Sequence, residues 1–166
     1  MKNIIYFLSL TITFSLFSQE KITDSVQGTK QNLDEVIVES VRVKYSSPIT
    51  HSNVTKSDLS SKNLGQDLSI LLNFLPSVVT TSDAGAGIGY TGIRIRGVSA
   101  QSTNITINGI PFNDPESHGT YWVNLPDFTS SVESLQVQRG VGTSTNGSGA
   151  FGASINILTD AISNNP

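Results

Sequence analysis

The sequence of 166 residues contains no cysteine, only two histidines and a single tryptophan. The absence of cysteine excludes disulfide bonds, thiol nucleophiles, thiolate metal sites and the acylated cysteine of a lipoprotein. With two histidines and no clustered third ligand, a complete catalytic metal centre is not expected either. Neither a metal nor an organic cofactor is therefore predicted.

Charge is sparse and is not clustered. Ten basic and thirteen acidic residues give a formal net charge of -3, and about 37% of the residues are apolar. Nucleic acid is not expected as a partner, because its binding sites need a basic patch. The length suits one domain and is too short for two large ones.

The N-terminus has the pattern of an export signal. A short basic start, Met1 to Asn3, precedes an apolar run from Ile4 to Phe17 that serine and threonine interrupt. This run is too short and too polar to span a bilayer comfortably, so we predict a signal peptide over residues 1–18, cleaved after Ser18. The alternative is a short buried N-terminal helix. Residues 19–32 are polar and aperiodic, which predicts a flexible periplasmic tether.

Period-two alternation predicts short strands in several places. The segment 33–38 contains two acidic and three β-branched residues, and its alternation continues through Val41 and Val43. The other strands are predicted at 53–56, 78–80, 93–96, 105–108, 133–138 and 154–159. Glycines at four of the ten positions in 83–92 indicate a loop.

One amphipathic helix is predicted between Asn63 and Pro76. Asn63 and Gln66 stand at N-cap and N3 spacing, and proline ends the helix. One face would carry Leu64, Leu68, Leu71, Leu72 and Leu75. A helix among strands indicates a mixed α/β (α+β) domain with a small twisted sheet of about four strands and flanking short helices.

Two patterns invite a catalytic or cofactor interpretation, and both are weak. Gly147, Gly149 and Gly152 match G-x-G-x-x-G, yet the run does not leave a strand to open a helix, and tight turns explain glycine equally well. Asp114, Glu116 and His118 have alternating ligand spacing but form an incomplete set. An exported hydrolase would need a G-x-S-x-G nucleophile elbow, a pair of zinc ligands or a convincing acid–base dyad, and the sequence has none of these. We therefore expect no enzyme activity.

Five blocks, in order along the chain, carry a resemblance to a known family. They are Leu33 to Val38, Leu71 to Val78, Ile93 to Gly97, Ile105 to Pro111 and a closing segment from Val132 to Thr159. Together they resemble the plug domain of TonB-dependent outer-membrane receptors of the Bacteroidetes type. The resemblance implies a plug-domain fold over residues 45–160.

The first block is similar to the TonB box, which implies that the periplasmic domain of TonB is a partner. The residues of this box are Leu33, Asp34, Glu35, Val36, Ile37 and Val38. A loosely tethered β-branched segment can add as an extra strand to the edge of another protein's sheet. The alternative interpretation is an ordinary edge strand of this domain.

Family members carry arginines at two positions that match Arg96 and Arg139, where they meet glutamates on the inner barrel wall. The resemblance therefore implies that these two residues lock the plug in its barrel. The alternative is a pair of solvated charges at strand ends, each worth under about 1 kcal/mol.

Plug-domain loops in corresponding places point toward the extracellular vestibule and contact the ligand. The candidates here are Tyr90, Gln101, Ser102, His118, Tyr121 and Trp122. The alternative for Trp122 is packing at the barrel interface. The implied ligand is a ferric siderophore or a cobalamin-like chelate.

A receptor barrel of about 22 strands, at roughly ten residues a strand, cannot fit in this chain. We therefore expect a truncated or split product, with residues 161–166 as the truncated junction to a missing outer-membrane barrel. That barrel would lie in the same chain of a full-length protein and would otherwise be encoded separately. The expected location is the outer membrane, with the plug facing the periplasm. The alternative is a free periplasmic protein that binds TonB without a pore.

Overall fold

The computed structural model describes residues 41–141, 144–147 and 149–161. The predicted signal peptide, tether and TonB box lie outside these residues, as does the junction beyond residue 161. None of the helices in the described ranges has the length and apolarity needed to cross a bilayer.

A five-stranded sheet forms the centre of the fold, in the order β1-β6-β7-β4-β5. All its pairs are antiparallel except β4 with β7, which is parallel. The strands are β1 (His51–Thr55), β4 (Thr103–Ile107), β5 (Ile110–Pro111), β6 (Val132–Arg139) and β7 (Ala153–Thr159). The long closing strands β6 and β7 thus lie in the middle, each with a neighbour on both sides.

A separate antiparallel pair, β2 (Val78–Ser82) and β3 (Thr91–Ile95), stands beside this sheet. All six strands predicted between residues 53 and 159 are confirmed, with small shifts at their ends. The sheet has five strands rather than about four because the Asn108-Gly109 turn, with φ of 51° and 80°, folds β5 back on β4. The mixed α/β architecture is confirmed.

The predicted helix begins later than its leucine spacing suggested. A short helix, α1 (Lys56–Ser60), starts with a capping box formed by Thr55 and Asp58. Another short helix, α2 (Leu68–Leu71), continues as a 3-10 turn over Leu72–Phe74.

Local polar contacts explain the late start of α2. The Asn63 side chain accepts a hydrogen bond from the Gly65 N–H, and Gly65 has a φ of 88°. This left-handed turn interrupts the helix, and Leu64 is 87% exposed. The other four leucines of the predicted face are buried, as expected.

The apolar core lies on one face of the main sheet, where α2 and the β2–β3 pair cover it. Alternate residues of the strands point into it, and Trp122 joins them with 2% exposure. Its strand members are Val54, Val78, Ile93, Ile95, Ile105, Val132, Leu135, Val137, Ala153, Ile155 and Ile157.

The opposite face of the same sheet is polar and is nevertheless buried. Asn53, Gln136, Asn156 and Thr106 lie directly opposite one another across four strands, and the last three are buried. The chain just before β1 covers this face. The prediction that the strand at 33–38 continues through Val41 and Val43 is wrong, because Val41 is helical and the Val43 main chain bonds to the Gln136 side chain instead of to a strand.

Candidate functional site

The Arg96 guanidinium lies beside the residue that follows Arg139. Arg96 follows β3 and adopts a φ of 55°, which is unusual for a residue other than glycine. Its Nη1 atom would lie 2.9 Å from a Cβ atom built on Gly140, the residue after Arg139. Gly140 itself has a φ of 97°. Glycine at 140 therefore makes room for the Arg96 guanidinium beside the end of β6.

Neutral groups of β1 orient Arg139. Its Nη1 donates to the Ser52 hydroxyl at 2.7 Å, and its Nη2 is 3.5 Å from the carbonyl of His51. Within the described ranges the only ion pair joins Lys56 to Asp160 at another place in the fold. Among these residues, neither Arg96 nor Arg139 is therefore paired with a carboxylate, and a guanidinium group favours an anionic partner.

The loop after β5 uses its acidic residue internally. The Asp114 carboxylate accepts hydrogen bonds from the Ser117 N–H at 2.7 Å and the Ser117 hydroxyl at 2.9 Å. These bonds hold the pKa of Asp114 below its usual value, with the Ser117 N–H as the largest cause. Among the residues with described positions, no cluster of three histidine, cysteine or acidic side chains could hold a metal ion. Asp114 is explained as a turn-forming residue.

Asn113 fixes this loop to the sheet, and the sequence interpretation missed it. Its Oδ1 accepts from the Ile105 N–H at 2.7 Å, while its Nδ2 donates to the carbonyls of Thr103 and His118 at 2.9 Å each. One side chain thus satisfies the open edge of β4 and positions the segment that carries His118. The Asn113-Asp114-Pro115 turn signature was the available clue.

A groove of about 270 Å³ lies between this loop and the turn at residues 144–147. Gln101 and His118, two of the predicted ligand contacts, line it together with Asn104 and Asn146. No side chain of its lining other than His118 can carry a charge. Two of its buried oxygen atoms, Thr103 Oγ1 and Asn146 Oδ1, have no hydrogen-bond partner among the residues that the structure describes.

The other predicted ligand contacts do not share this groove. Tyr90 and Tyr121 are 70% and 48% exposed, and neither lines it. Ser102 is half-buried, and its carbonyl accepts from the Gly152 N–H at 2.8 Å, which is a structural contact. Trp122 lies in the domain's own core. The structure therefore corrects the prediction for Trp122, which offers no exposed surface to a ligand and packs within the plug rather than against a barrel.

The glycine run before β7 serves packing. A Cβ atom on Gly152 would lie 2.6 Å from Cγ1 of Val98, whereas one on Gly149 would meet nothing within 4 Å. The run leads from a 3-10 turn into a strand and does not open a helix. The helix N-terminus on which dinucleotide binding depends is absent from this described segment.

The chain is similar to known receptor domains over most of its length. The family model described as TonB-dependent Receptor Plug Domain matches residues 43–154. The vitamin B12 transporter BtuB of Vibrio vulnificus is 32% identical over 90% of this chain. The probable TonB-dependent siderophore receptor PirA of Acinetobacter baumannii is 26% identical over 95% of it. The chain spans 23% of the length of each of these two relatives.

Solved structures have the same fold. The siderophore receptor PirA from Acinetobacter baumannii aligns with a TM-score of 0.54 at 28% identity, covering 69% of this chain and 18% of that one. The ferric enterobactin receptor PfeA from Pseudomonas aeruginosa aligns with a TM-score of 0.55 at 25% identity, covering 76% of this chain and 19% of that one. The resemblance to the Bacteroidetes group in particular stays a prediction.

Proposed function

Because this chain belongs to the family of TonB-dependent receptor plug domains, we propose that it gates the energy-coupled uptake of a chelate across the outer membrane. The ligand is a ferric siderophore or a cobalamin-like molecule, as the names of the siderophore and vitamin B12 relatives support. The domain occludes a barrel, contributes part of the ligand site and catalyses no reaction.

The observation that carries this proposal is the arginine pair. The Arg96 guanidinium lies beside Gly140, the residue after Arg139, and the described residues give neither arginine a carboxylate. A guanidinium group binds a carboxylate through two parallel hydrogen bonds, so two acidic side chains on a barrel wall would fix both the position and the orientation of the plug.

Charge reversal tests this lock. Arg96→Glu and Arg139→Glu should each greatly reduce co-purification of the plug with the barrel of its receptor. Arg94→Glu is the matched control. Arg94 lies on β3, the strand that Arg96 follows, and it is also exposed. Equal retention of all three variants would contradict the lock.

Energy coupling requires a segment to which TonB binds, and we propose residues 33–38 as that segment. An extended β-branched segment can pair by main-chain hydrogen bonds with the edge of TonB's sheet. Val36→Pro should abolish binding of the TonB periplasmic domain in a calorimetric titration, because proline removes an N–H from the added strand. Gln27→Pro, in the predicted tether, should leave binding unchanged. Unaltered binding by Val36→Pro would reject this role.

The ligand-contact set that we propose consists of Tyr90, Gln101, His118 and Tyr121. All four are exposed in the structure, and Gln101 and His118 line the groove beside Asn146. Neutral amides and a histidine suit a ligand that accepts and donates hydrogen bonds. Gln101→Ala together with His118→Ala should weaken ligand binding to the receptor, whereas Val79→Ala, an exposed change on β2, should not.

A further inference from the structure

The buried polar face of the sheet holds a specific piece of main chain. Gln136 bonds to both main-chain groups of Val43, accepting from its N–H at 2.7 Å and donating to its carbonyl at 3.0 Å. Gln138 donates to the Val41 carbonyl at 3.1 Å, and Asn156 Nδ2 is 3.5 Å from the same oxygen. Three amide side chains thus bind residues 41–43 much as a neighbouring strand would.

Arg42 adds a second set of bonds to the same face. Its Nη1 donates to the Ser134 hydroxyl at 3.0 Å, and its Nη2 donates to the carbonyls of Ser134 and Asn156 at 3.0 and 3.2 Å. Burial lowers the pKa of this guanidinium, and the charge of Glu133 opposes that shift. Residues 41–43 therefore make seven hydrogen bonds to the sheet.

The same amides continue to the groove. Gln138 donates to the Gln136 side chain at 3.0 Å and accepts from Asn146 Nδ2 at 2.8 Å. The Asn146 carbonyl in turn accepts from the Asn104 side chain, and both asparagines line the groove. Only Gln138 and Asn146 separate the Val41 carbonyl from the groove.

We propose that Gln136, Gln138 and Asn156 form a releasable clasp for residues 41–43, and that opening of this clasp frees Asn146 and alters the groove. Residue 41 stands three positions after the predicted TonB box, so a pull on the box reaches the clasp before any other described part of the domain. The pulling step rests on the proposed function. The clasp and its link to Asn146 rest only on the contacts above.

The chemistry of the clasp suits release. Hydrogen bonds weaken steeply once donor and acceptor separate beyond about 3.5 Å, so a small displacement breaks them. Water can then satisfy the amides that are set free. The segment buries a single apolar side chain, that of Val43 with 7% exposure. Its departure therefore leaves the hydrophobic core intact.

Because the chain has no cysteine, a single introduced thiol can report on the clasp. In the full chain, Val43→Cys should react slowly with a maleimide, whereas Tyr45→Cys, at a site that is 95% exposed, should react at the rate of a free thiol. Adding Arg42→Met or Gln136→Leu to Val43→Cys should raise its labelling rate by about tenfold or more, because each change removes hydrogen bonds that hold residues 41–43 to the sheet. Arg42→Met changes only the bound segment, so it tests the clasp even if Gln136→Leu fails to fold.

A second labelling experiment tests the link between the clasp and the groove. Asn146→Ala should raise the labelling rate of Val43→Cys several-fold, because Gln138 loses the donor that orients its amide. Asn63→Ala is the matched control, since its side chain bonds to Asp127 and Ser130 elsewhere, and should leave the rate unchanged. Labelling that hardly depends on low urea concentrations identifies local opening, whereas a steep dependence identifies global unfolding.

Two results would overturn the inference. If Val43→Cys in the otherwise unchanged chain labels as fast as Tyr45→Cys, residues 41–43 are not held. If Asn146→Ala behaves like Asn63→Ala, the clasp and the groove are not coupled. If the unchanged chain fails to bind the TonB periplasmic domain in the titration above while the labelling pattern is as expected, the proposed function is rejected and the clasp still stands.

Discussion

Along the central strands β6 and β7, both faces of the sheet are buried, but by opposite chemistry. Along β6, Leu135 and Val137 enter the apolar core, while Gln136 and Gln138 between them enter a network of amides. Along β7, Ile155 and Asn156 differ in the same way. Burial alone therefore does not tell which contacts hold the fold together.

The two faces differ in the free energy that is needed to open them. Apolar contacts are non-directional, and their stabilising free energy falls roughly in proportion to the apolar area that becomes exposed. Any opening of the core is therefore unfavourable. Hydrogen bonds in the amide network exchange readily for bonds to water, and each has a net value of only about 0.5–1.5 kcal/mol. We infer that one face fixes the domain and that the other holds a segment meant to move.

The largest expected effect comes from the apolar face. Leu135→Ala should lower the free energy of unfolding by about 2–5 kcal/mol, because it removes a fully buried side chain and leaves a cavity. Urea denaturation followed by circular dichroism measures this change. A loss below about 1 kcal/mol would be no larger than the net contribution of one hydrogen bond. It would contradict the proposed difference between the two faces.

A steric change where β7 begins comes next. Gly152→Ala should cost about 1–3 kcal/mol, because the new methyl group would overlap the Val98 side chain. Gly149→Ala, which meets nothing within 4 Å, is the control and should be close to neutral. Equal stabilities of the two variants would show that the approach of Val98 is not required.

The polar face should respond less. Gln136→Leu should lower the free energy of unfolding by about 1 kcal/mol, since water can reach the Val43 groups once the segment moves away. The same urea titration measures it. A loss as large as that of Leu135→Ala would mean that the amide network is as cohesive as the core.

The smallest effect concerns the cap of α1, which belongs to neither face. Two hydrogen bonds from Thr55 lower the pKa of Asp58. The larger effect comes from the Thr55 side chain and the smaller from its main-chain N–H. A carboxyl group with a lowered folded-state pKa adds stability above its unfolded pKa of about 3.9, and this stability is lost as the pH falls through the folded value. Asp58→Asn should therefore be slightly less stable than the parent at pH 7, and the difference should vanish as the pH falls below about 4. A gap that is constant between pH 7 and pH 3 would contradict this cause.

Sequence patterns predicted the strands well, since alternation is a local property. They misplaced the start of α2 because Leu64 fits the spacing, whereas the Asn63–Gly65 turn decides the backbone. They also missed α1, which is only five residues long and is too short to show a helical period.

The site was harder to foresee because its contacts are distant along the chain. Polar residues at alternate positions, such as Gln136 and Gln138, normally indicate a solvated face. Here residues 41–43, more than ninety positions away, cover them. The meeting of Arg96 with Gly140 likewise depends on how two sheets pack. Asn113 and Asn146 act through specific hydrogen bonds that no periodicity marks.

Native-state hydrogen exchange tests the contrast between the faces most directly. The two amides to compare are that of Val43, bonded to the Gln136 side chain, and that of Ile155 in the centre of β7. The account predicts that Val43 exchanges much faster, through a local opening with little dependence on urea, whereas Ile155 exchanges only on global unfolding. A single exchange free energy and a single urea slope for both amides would contradict it.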